Sequence, residues 1–151
     1  HSFGARVAVK IAAADEGFFG KMVLTGAAGI VPRRTLGYHA KVKAYRRVRK
    51  FFPAYAERHF GSAEYRALSP VMRESYKKIV NEDLRAAAAD IKNPVLLVYG
   101  ANDKTTPPSA GEVYRAAIQG SRLEILPGCG HFAFLDDMAA FNALTEEFLE
   151  L

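Results

Sequence analysis

The sequence has little of what a disulfide-bonded or membrane-spanning protein requires. Its 151 residues include one cysteine, Cys129, so no intrachain disulfide can form, and a reducing, cytoplasmic location is expected. No run of about 18 apolar residues occurs, which excludes a transmembrane helix. The longest apolar runs span four or five residues, as in buried strands. Half of the residues are hydrophobic, which indicates a globular chain of single-domain size.

Acidic residues are missing from one segment, residues 33–50, which holds eight of the 21 basic residues. The rest of the chain has 13 basic and 16 acidic residues, so the net charge of +5 originates in this segment. A solvated helix face is the favoured explanation. Attraction of anionic substrates is a second one, and contact with a membrane surface or nucleic acid is a third. Because the aromatic residues among these cations recur at the spacing of a core stripe, we expect no nucleic-acid partner.

Three short apolar runs predict buried parallel strands, at residues 21–25, 95–99 and 122–126. Helical periodicity occupies the segments around them, at residues 5–14, 107–118 and 136–151. Strands that alternate with helices, joined by right-handed crossovers, predict an α/β doubly wound layer. In such folds, ligands bind at the carboxyl ends of the strands.

The strand pattern is absent from residues 32–90, a segment far longer than an ordinary crossover. An amphipathic stripe at spacings of three and four residues predicts a helix there, through Tyr38, Val42, Tyr45, Val48 and Phe52. Ser69-Pro70 predicts the start of another helix, because proline is favoured at the first helical position. We therefore expect a helical insertion at 32–90 between two parts of a core, 1–31 and 91–151.

Three polar residues lie at a turn motif or just after a predicted strand, and their order along the chain matches that of a catalytic triad. His1-Ser2-Phe3-Gly4 matches the last four residues of a G-x-S-x-G nucleophile elbow. Asp103 follows the apolar run 95–99, and His131 follows the next run in the motif Gly-Cys-Gly-His. Each feature alone is weak, since Asp103 could be a turn former and His131 a packed histidine. Together they have the chain order Ser, Asp, His of an α/β-hydrolase triad.

With these residues the chain resembles the C-terminal half of a cap-containing serine hydrolase of the α/β-hydrolase superfamily, from the nucleophile elbow onward. The resemblance implies that Ser2 is the nucleophile, that His131 is its base and that Asp103 orients the imidazole. It implies that the amide of Phe3 donates to an oxyanion and that residues 32–90 are the cap. No cofactor, metal or nucleic acid is implied.

The resemblance implies hydrolysis of a small ester or acyl substrate through an acyl-enzyme. Carbon–carbon bond hydrolysis and aminopeptidase activity remain alternatives, since substrate choice belongs to the cap and loops. Six apolar side chains are candidate walls of a substrate pocket: Phe18, Phe19, Tyr38, Tyr45, Met72 and Phe132. Cys129, two residues before His131, is expected to be a small packed residue and not a second nucleophile.

Members of the superfamily have further strands before the elbow, whereas this sequence begins at His1. We therefore expect either a fragment or a chain that a partner completes, and a catalytically incomplete module is a second hypothesis. The first strand would have an open edge, and open strand edges recruit other strands. The expected result is pairing with a missing half, self-association through residues 22–25, or aggregation.

Overall fold

The computed structural model describes residues 1–32, 36–52, 55 and 69–150, with the backbone alone at 36, 38, 39, 70 and 77. The chain divides into two compact units, His1–Ile30 with Asp83–Leu151, and Val31–Glu82. The first unit contains the sheet and the predicted catalytic residues. Among the described residues, no helix has the length and apolarity that crossing a membrane requires. The cytoplasmic location stays a prediction.

The first unit is built on three parallel strands in the order β1-β2-β3: β1 (Met22–Thr25), β2 (Val95–Gly100) and β3 (Arg122–Leu126). Leu24, Leu97 and Leu123 are aligned across the sheet. Every residue of β2 is buried, because β2 has a strand on each side and helices on each face. The predicted α/β fold class is confirmed, and the strand bounds differ from the prediction by one residue at most.

Helices cover both faces of this sheet. The first unit contains five of them: α1 (Phe3–Ala14), α4 (Arg85–Ala89), α5 (Pro108–Ala117), α6 (Ala133–Asp136) and α7 (Met138–Leu149). Leu97 and Tyr99 pack in the core with α1, α4 and α5, whereas Leu96 and Val98 pack with α6 and α7. Successive residues of a strand point to opposite faces, so a continuous apolar run supplies both cores.

The second unit contains α2 (Leu36–Phe51) and α3 (Pro70–Asn81). Ser69 begins α3 as predicted, because its hydroxyl accepts from the Met72 amide at 3.3 Å. The assignment of residues 32–90 as a cap stays a prediction, and residues 33–35, 53–54 and 56–68 lie outside the described part. Helix α4, which the sequence assigned to the cap, groups with the first unit because Leu84, Ala88 and Ile91 are buried in its core.

The predicted last helix, 136–151, corresponds to α7, which begins two residues later, at Met138. A short helix that the sequence did not predict, α6, precedes it and is separated from it at Asp137. Asp137 caps α7 by accepting from the Ala140 amide at 3.0 Å, which satisfies one of the free amides of the first turn.

Candidate active site

Ser2 lies at the sharp turn that precedes α1. Its backbone has φ 50° and ψ −115°, a left-handed conformation that is strained for a residue with a side chain. Two backbone hydrogen bonds join the turn to β1 and the loop after it: Ser2 N donates to Thr25 O at 3.1 Å, and Ser2 O accepts from Ala28 N at 3.2 Å. The Ser2 hydroxyl makes no capping bond to α1, so the turn directs it away from its own helix.

Asp103 and His131 follow the carboxyl ends of β2 and β3, and the backbone holds these two loops together. The Asn102 amide donates to Cys129 O at 2.8 Å, and the Ala101 amide donates to Leu126 O at 2.9 Å. Gly100 permits this approach, because a Cβ at this position would collide with the carbonyls of Cys129 and Gly130. Residues that are 28 apart in the sequence thus become neighbours.

The three predicted catalytic side chains form one hydrogen-bonded chain. His131 Nε2 lies 3.0 Å from Ser2 Oγ, and His131 Nδ1 lies 2.7 Å from Asp103 Oδ2. If Nδ1 carries the proton and donates to the carboxylate, Nε2 is free to accept the serine proton. Asp103 is fully shielded, while the His131 side chain is 17% exposed. The arrangement has the distances required of a nucleophile, a base and an orienting acid.

Asp103 is held in its ionised form. Burial of its carboxyl opposes ionisation, but hydrogen bonds from His131, the Thr106 side chain and the amides of Thr106 and Thr105 hold its pKa below the ordinary value. The two amides donate to Oδ1 at 2.9 Å and 2.7 Å respectively. A carboxylate with this many donors keeps its charge and its orientation, which is what an acid that orients a histidine needs.

Thr106 belongs to the site although the sequence did not indicate it. Its hydroxyl lies 2.7 Å from Asp103 Oδ2 and 3.1 Å from His131 Nδ1. The only sequence signal is its position three residues after Asp103, where the Asx-type turn brings the chain back over the carboxylate.

Aromatic rings lie beside the imidazole of His131. His1 Nε2 lies 3.0 Å from His131 O, and the centroids of the two histidine rings are 4.6 Å apart. Phe132, a predicted pocket residue, lies 5.3 Å from the His131 ring and is 49% exposed. Phe134 joins the cluster at 5.2 Å from His1. One wall beside the imidazole is therefore apolar and open.

The Phe3 amide is available as an oxyanion donor. It is the first amide of α1, where an amide has no acceptor within its own helix. Among the described residues, no hydrogen bond from it is found. The positive end of the helix dipole adds to its preference for negative charge.

The structure does not bring Phe18 and Phe19 to the triad. Both residues precede β1, and the carbonyl of Phe19 accepts from the side chain of Asn93, just before β2. They lie at the amino end of the strands, whereas Ser2, Asp103 and His131 lie at the carboxyl end, so we leave them out of the candidate pocket. Their apolar character reflects packing: Phe19 contacts the core and the ring of Phe18.

Three other predicted pocket residues belong to the second unit, and their role stays a prediction. Tyr45 lies on α2 and is half-buried, and Met72 lies on α3 and is 53% exposed. The side chain of Tyr38 lies outside the described residues.

Cys129 is a packed residue, as expected. It is 2% exposed and lies in the core beneath α6 and α7. Burial, together with the charges of Asp137 and Asp136, raises the pKa of its thiol, so the thiolate form is disfavoured. No three His, Cys, Asp or Glu side chains cluster as metal ligands in the part of the chain that the structure describes.

Residues 1–144 match the model of the alpha/beta hydrolase family. The chain belongs to this family. An esterase of the family fold from Exiguobacterium antarcticum superposes with a TM-score of 0.68 at 24% identity, over 99% of this chain and 65% of the esterase. At this identity the superposition shows the fold alone.

Two curated relatives are similar over parts of the chain. A pimeloyl-(acyl-carrier protein) methyl ester esterase from Neisseria meningitidis serogroup B is 37% identical over 79 residues, 52% of this chain and 31% of the relative. A 2-hydroxy-6-oxononadienedioate/2-hydroxy-6-oxononatrienedioate hydrolase from Pseudomonas putida is 37% identical over 68 residues, 45% of this chain and 24% of the relative. The aligned segments thus span about a third or less of each relative.

Proposed function

We propose that the protein is a serine hydrolase that cleaves small esters through an acyl-enzyme. The observation that carries this proposal is the hydrogen-bonded chain from Ser2 Oγ through His131 to Asp103, with distances of 3.0 Å and 2.7 Å. An isolated serine hydroxyl is a poor nucleophile at neutral pH, and this chain supplies the base and the acid that activate it.

In the proposed reaction, Ser2 Oγ attacks the ester carbonyl carbon while His131 Nε2 takes the hydroxyl proton. The Phe3 amide donates to the oxyanion of the tetrahedral intermediate, and the Asp103 carboxylate stabilises the imidazolium. His131 then gives its proton to the departing alkoxide, which leaves as an alcohol. Water, deprotonated by the same histidine, attacks the acyl-enzyme and releases the carboxylic acid and the serine hydroxyl.

A carbon–carbon bond hydrolase is the second candidate, and the Pseudomonas putida relative favours it. Both chemistries can use a serine, a histidine and an aspartate, so the triad does not distinguish them. A direct comparison does: the full-length protein is assayed with p-nitrophenyl butyrate and with a dienoate meta-cleavage product. Faster turnover of the dienoate by kcat/KM would replace the ester proposal with this one.

A fluorophosphonate probe tests the nucleophile. The full-length protein should be labelled at Ser2, as mapped by peptide mass spectrometry, and Ser2→Ala should not be labelled. Ser109→Ala, which alters a serine on α5, is the matched control and should be labelled like the wild type. A folded wild-type protein that the probe leaves unlabelled would contradict the proposal.

We also propose that another strand pairs with the outer edge of β1. The amides of Met22 and Gly26 donate to Pro94 and Val98 on the β2 side, so the alternate residues Val23 and Thr25 direct their backbone groups to the other side. The Ser2 amide occupies Thr25 O at 3.1 Å, which leaves the groups of Val23 for a partner strand.

Sedimentation of the 151-residue chain at micromolar concentration tests this pairing. We expect self-association, and a weaker association for Val23→Pro, which lacks the outward amide. The matched control is Val23→Thr, which keeps the backbone amide and the β-branched shape and should associate like the wild type. A monomer that melts cooperatively would contradict this proposal.

A further inference from the structure

Thr106 Oγ1 lies within hydrogen-bonding distance of three polar atoms from three different segments. It is 2.7 Å from Asp103 Oδ2, 3.1 Å from His131 Nδ1 and 3.0 Å from the carbonyl oxygen of Gly26. The residue is 7% exposed, so water does not readily replace these contacts. Asp103 Oδ2, His131 Nδ1 and Thr106 Oγ1 thus form a triangle in which each atom contacts the other two.

A threonine hydroxyl has one proton, so it cannot donate to both acceptors at once. Asp103 Oδ2 is charged and nearer than Gly26 O, and charge-assisted bonds are the stronger ones. Donation to Asp103 is therefore the stronger of the two contacts. If His131 Nδ1 carries the proton, a lone pair of Oγ1 can accept from it at 3.1 Å. The hydroxyl thus contacts the carboxylate and the imidazole edge together.

The surroundings of Thr106 hold this hydroxyl in place. Its own amide donates to Asp103 Oδ1 at 2.9 Å, and Pro107 and α5 follow directly. Gly26 leaves room for it: a Cβ at Gly26 would lie 3.2 Å from Thr106 Oγ1 and 3.3 Å from His131 Nδ1. Gly26 also has φ 48°, a conformation that favours glycine.

We propose that Thr106 is a positioning residue, whose hydroxyl fixes the Asp103 carboxylate and the His131 imidazole in the mutual orientation that activates Ser2. The inference rests on the proposed function, because it assigns Thr106 a role in the same triad. Neither the packing of its methyl group nor its backbone amide accounts for the triangle of contacts. The hydroxyl is the group that a test must remove.

Two matched pairs of variants isolate this hydroxyl. Thr106→Val keeps the shape of the wild-type residue and removes the hydroxyl. Thr106→Ser and Thr106→Ala both lack the methyl group and differ from each other by the hydroxyl alone, so they keep the test informative if valine fails to fold. All are compared in the full-length protein by p-nitrophenyl butyrate hydrolysis, by the rate of fluorophosphonate labelling at Ser2 and by thermal melting.

We expect kcat/KM and the labelling rate to fall about tenfold or more for Thr106→Val relative to the wild type, because a hydrogen bond to a charged group is lost. For the same reason, both rates should be lower for Thr106→Ala than for Thr106→Ser by a similar factor. The acidic limb of the kcat/KM profile reports protonation of a group that must be unprotonated for catalysis. It should move to higher pH without the hydroxyl, because a carboxylate with one donor fewer binds a proton more readily. Thr106→Ser, which keeps the hydroxyl, should have the same acidic limb as the wild type.

The outcomes separate this inference from the proposed function. If the wild type is not labelled at Ser2, the proposed function fails. If the wild type is labelled, and valine and serine variants that melt normally match its rates and its acidic limb, the role of Thr106 is wrong while the triad stands. If serine loses as much activity as alanine, the methyl group is what matters, and the positioning proposal is again overturned.

Discussion

The hydroxyl of Tyr114 on α5 donates to the carbonyl oxygen of Ala28 at 2.8 Å, and the amide of Ala28 donates to the carbonyl oxygen of Ser2 at 3.2 Å. A buried helix side chain is thus connected to the turn at Ser2 through one loop residue. Tyr99 on β2 supports the same loop by donating to Ala27 O at 2.9 Å. The position of Ser2 therefore depends on the core and not only on the local turn.

Tyr114→Phe should lower the free energy of unfolding by about 1 kcal/mol, because the half-buried carbonyl of Ala28 loses its donor. Burial raises the pKa of Tyr114 to about 12; the charge of Asp83 acts in the same direction and that of Arg6 opposes it. The phenol is therefore protonated at neutral pH and can donate. Urea denaturation measures the change. Phe141→Leu changes packing on the other face of the sheet and is the control. It should leave the rate of fluorophosphonate labelling at Ser2 unchanged, whereas Tyr114→Phe should lower that rate. Equal stability and labelling for Tyr114→Phe and the wild type would contradict the prediction.

Gly100→Ala should destabilise the protein by about 3 kcal/mol, the upper end of the usual range for overpacking, because the new methyl group meets backbone that cannot turn away. The obstructing atoms are the carbonyls of Cys129 and Gly130. Gly20→Ala is the control, since a Cβ there meets nothing within 4 Å. Thermal melting of both variants is the measurement, and a Gly100→Ala protein as stable as Gly20→Ala would be evidence against the close approach of these loops.

Asp103→Asn should reduce kcat/KM for p-nitrophenyl butyrate on the order of 10⁴-fold, because an amide group favours the wrong imidazole tautomer. Asp90→Asn, at an exposed position that ends α4, should keep wild-type activity. Steady-state kinetics with active-site titration distinguish loss of rate from loss of folded enzyme. An Asp103→Asn enzyme within tenfold of the wild type would remove Asp103 from the triad.

The same carboxyl predicts a pH dependence of stability. Its pKa is lower in the folded chain than in the unfolded chain, where it is about 3.9, so the folded state favours the ionised form. The resulting stabilisation is present above the unfolded pKa and is lost as pH falls through the folded pKa. Urea titrations at several pH values should show the difference between wild type and Asp103→Asn shrinking below about pH 4. A difference that stays constant down to pH 2 would contradict this sign.

Cys129 should resist iodoacetamide in the folded protein and react once urea unfolds it, because its thiol is buried and its thiolate disfavoured. Mass spectrometry of the alkylated protein measures both states. Cys129→Ala should retain Ser2 labelling. Rapid alkylation under native conditions, with loss of labelling at Ser2, would instead place the thiol in the site.

The sequence alone predicted the strands of the sheet and the three residues of the proposed triad. The strand residues Val95–Gly100 form a short apolar run closed by a glycine, which is typical of a fully buried strand. Ser2, Asp103 and His131 were identifiable because each follows a turn or a strand end, and parallel strands bring their carboxyl ends to one edge of the sheet. These are local signals combined with one general rule of topology.

Other features depended on contacts between distant segments. The hydroxyl of Thr106 matters because Gly26 and His131 converge on it, and no local pattern records that convergence. Phe18 and Phe19 have the apolar side chains expected of a pocket wall, yet they lie at the opposite end of the sheet from Ser2. Composition and periodicity report what a side chain prefers to contact. Which contacts it makes is decided by how the strands align, and only the tertiary structure shows that alignment.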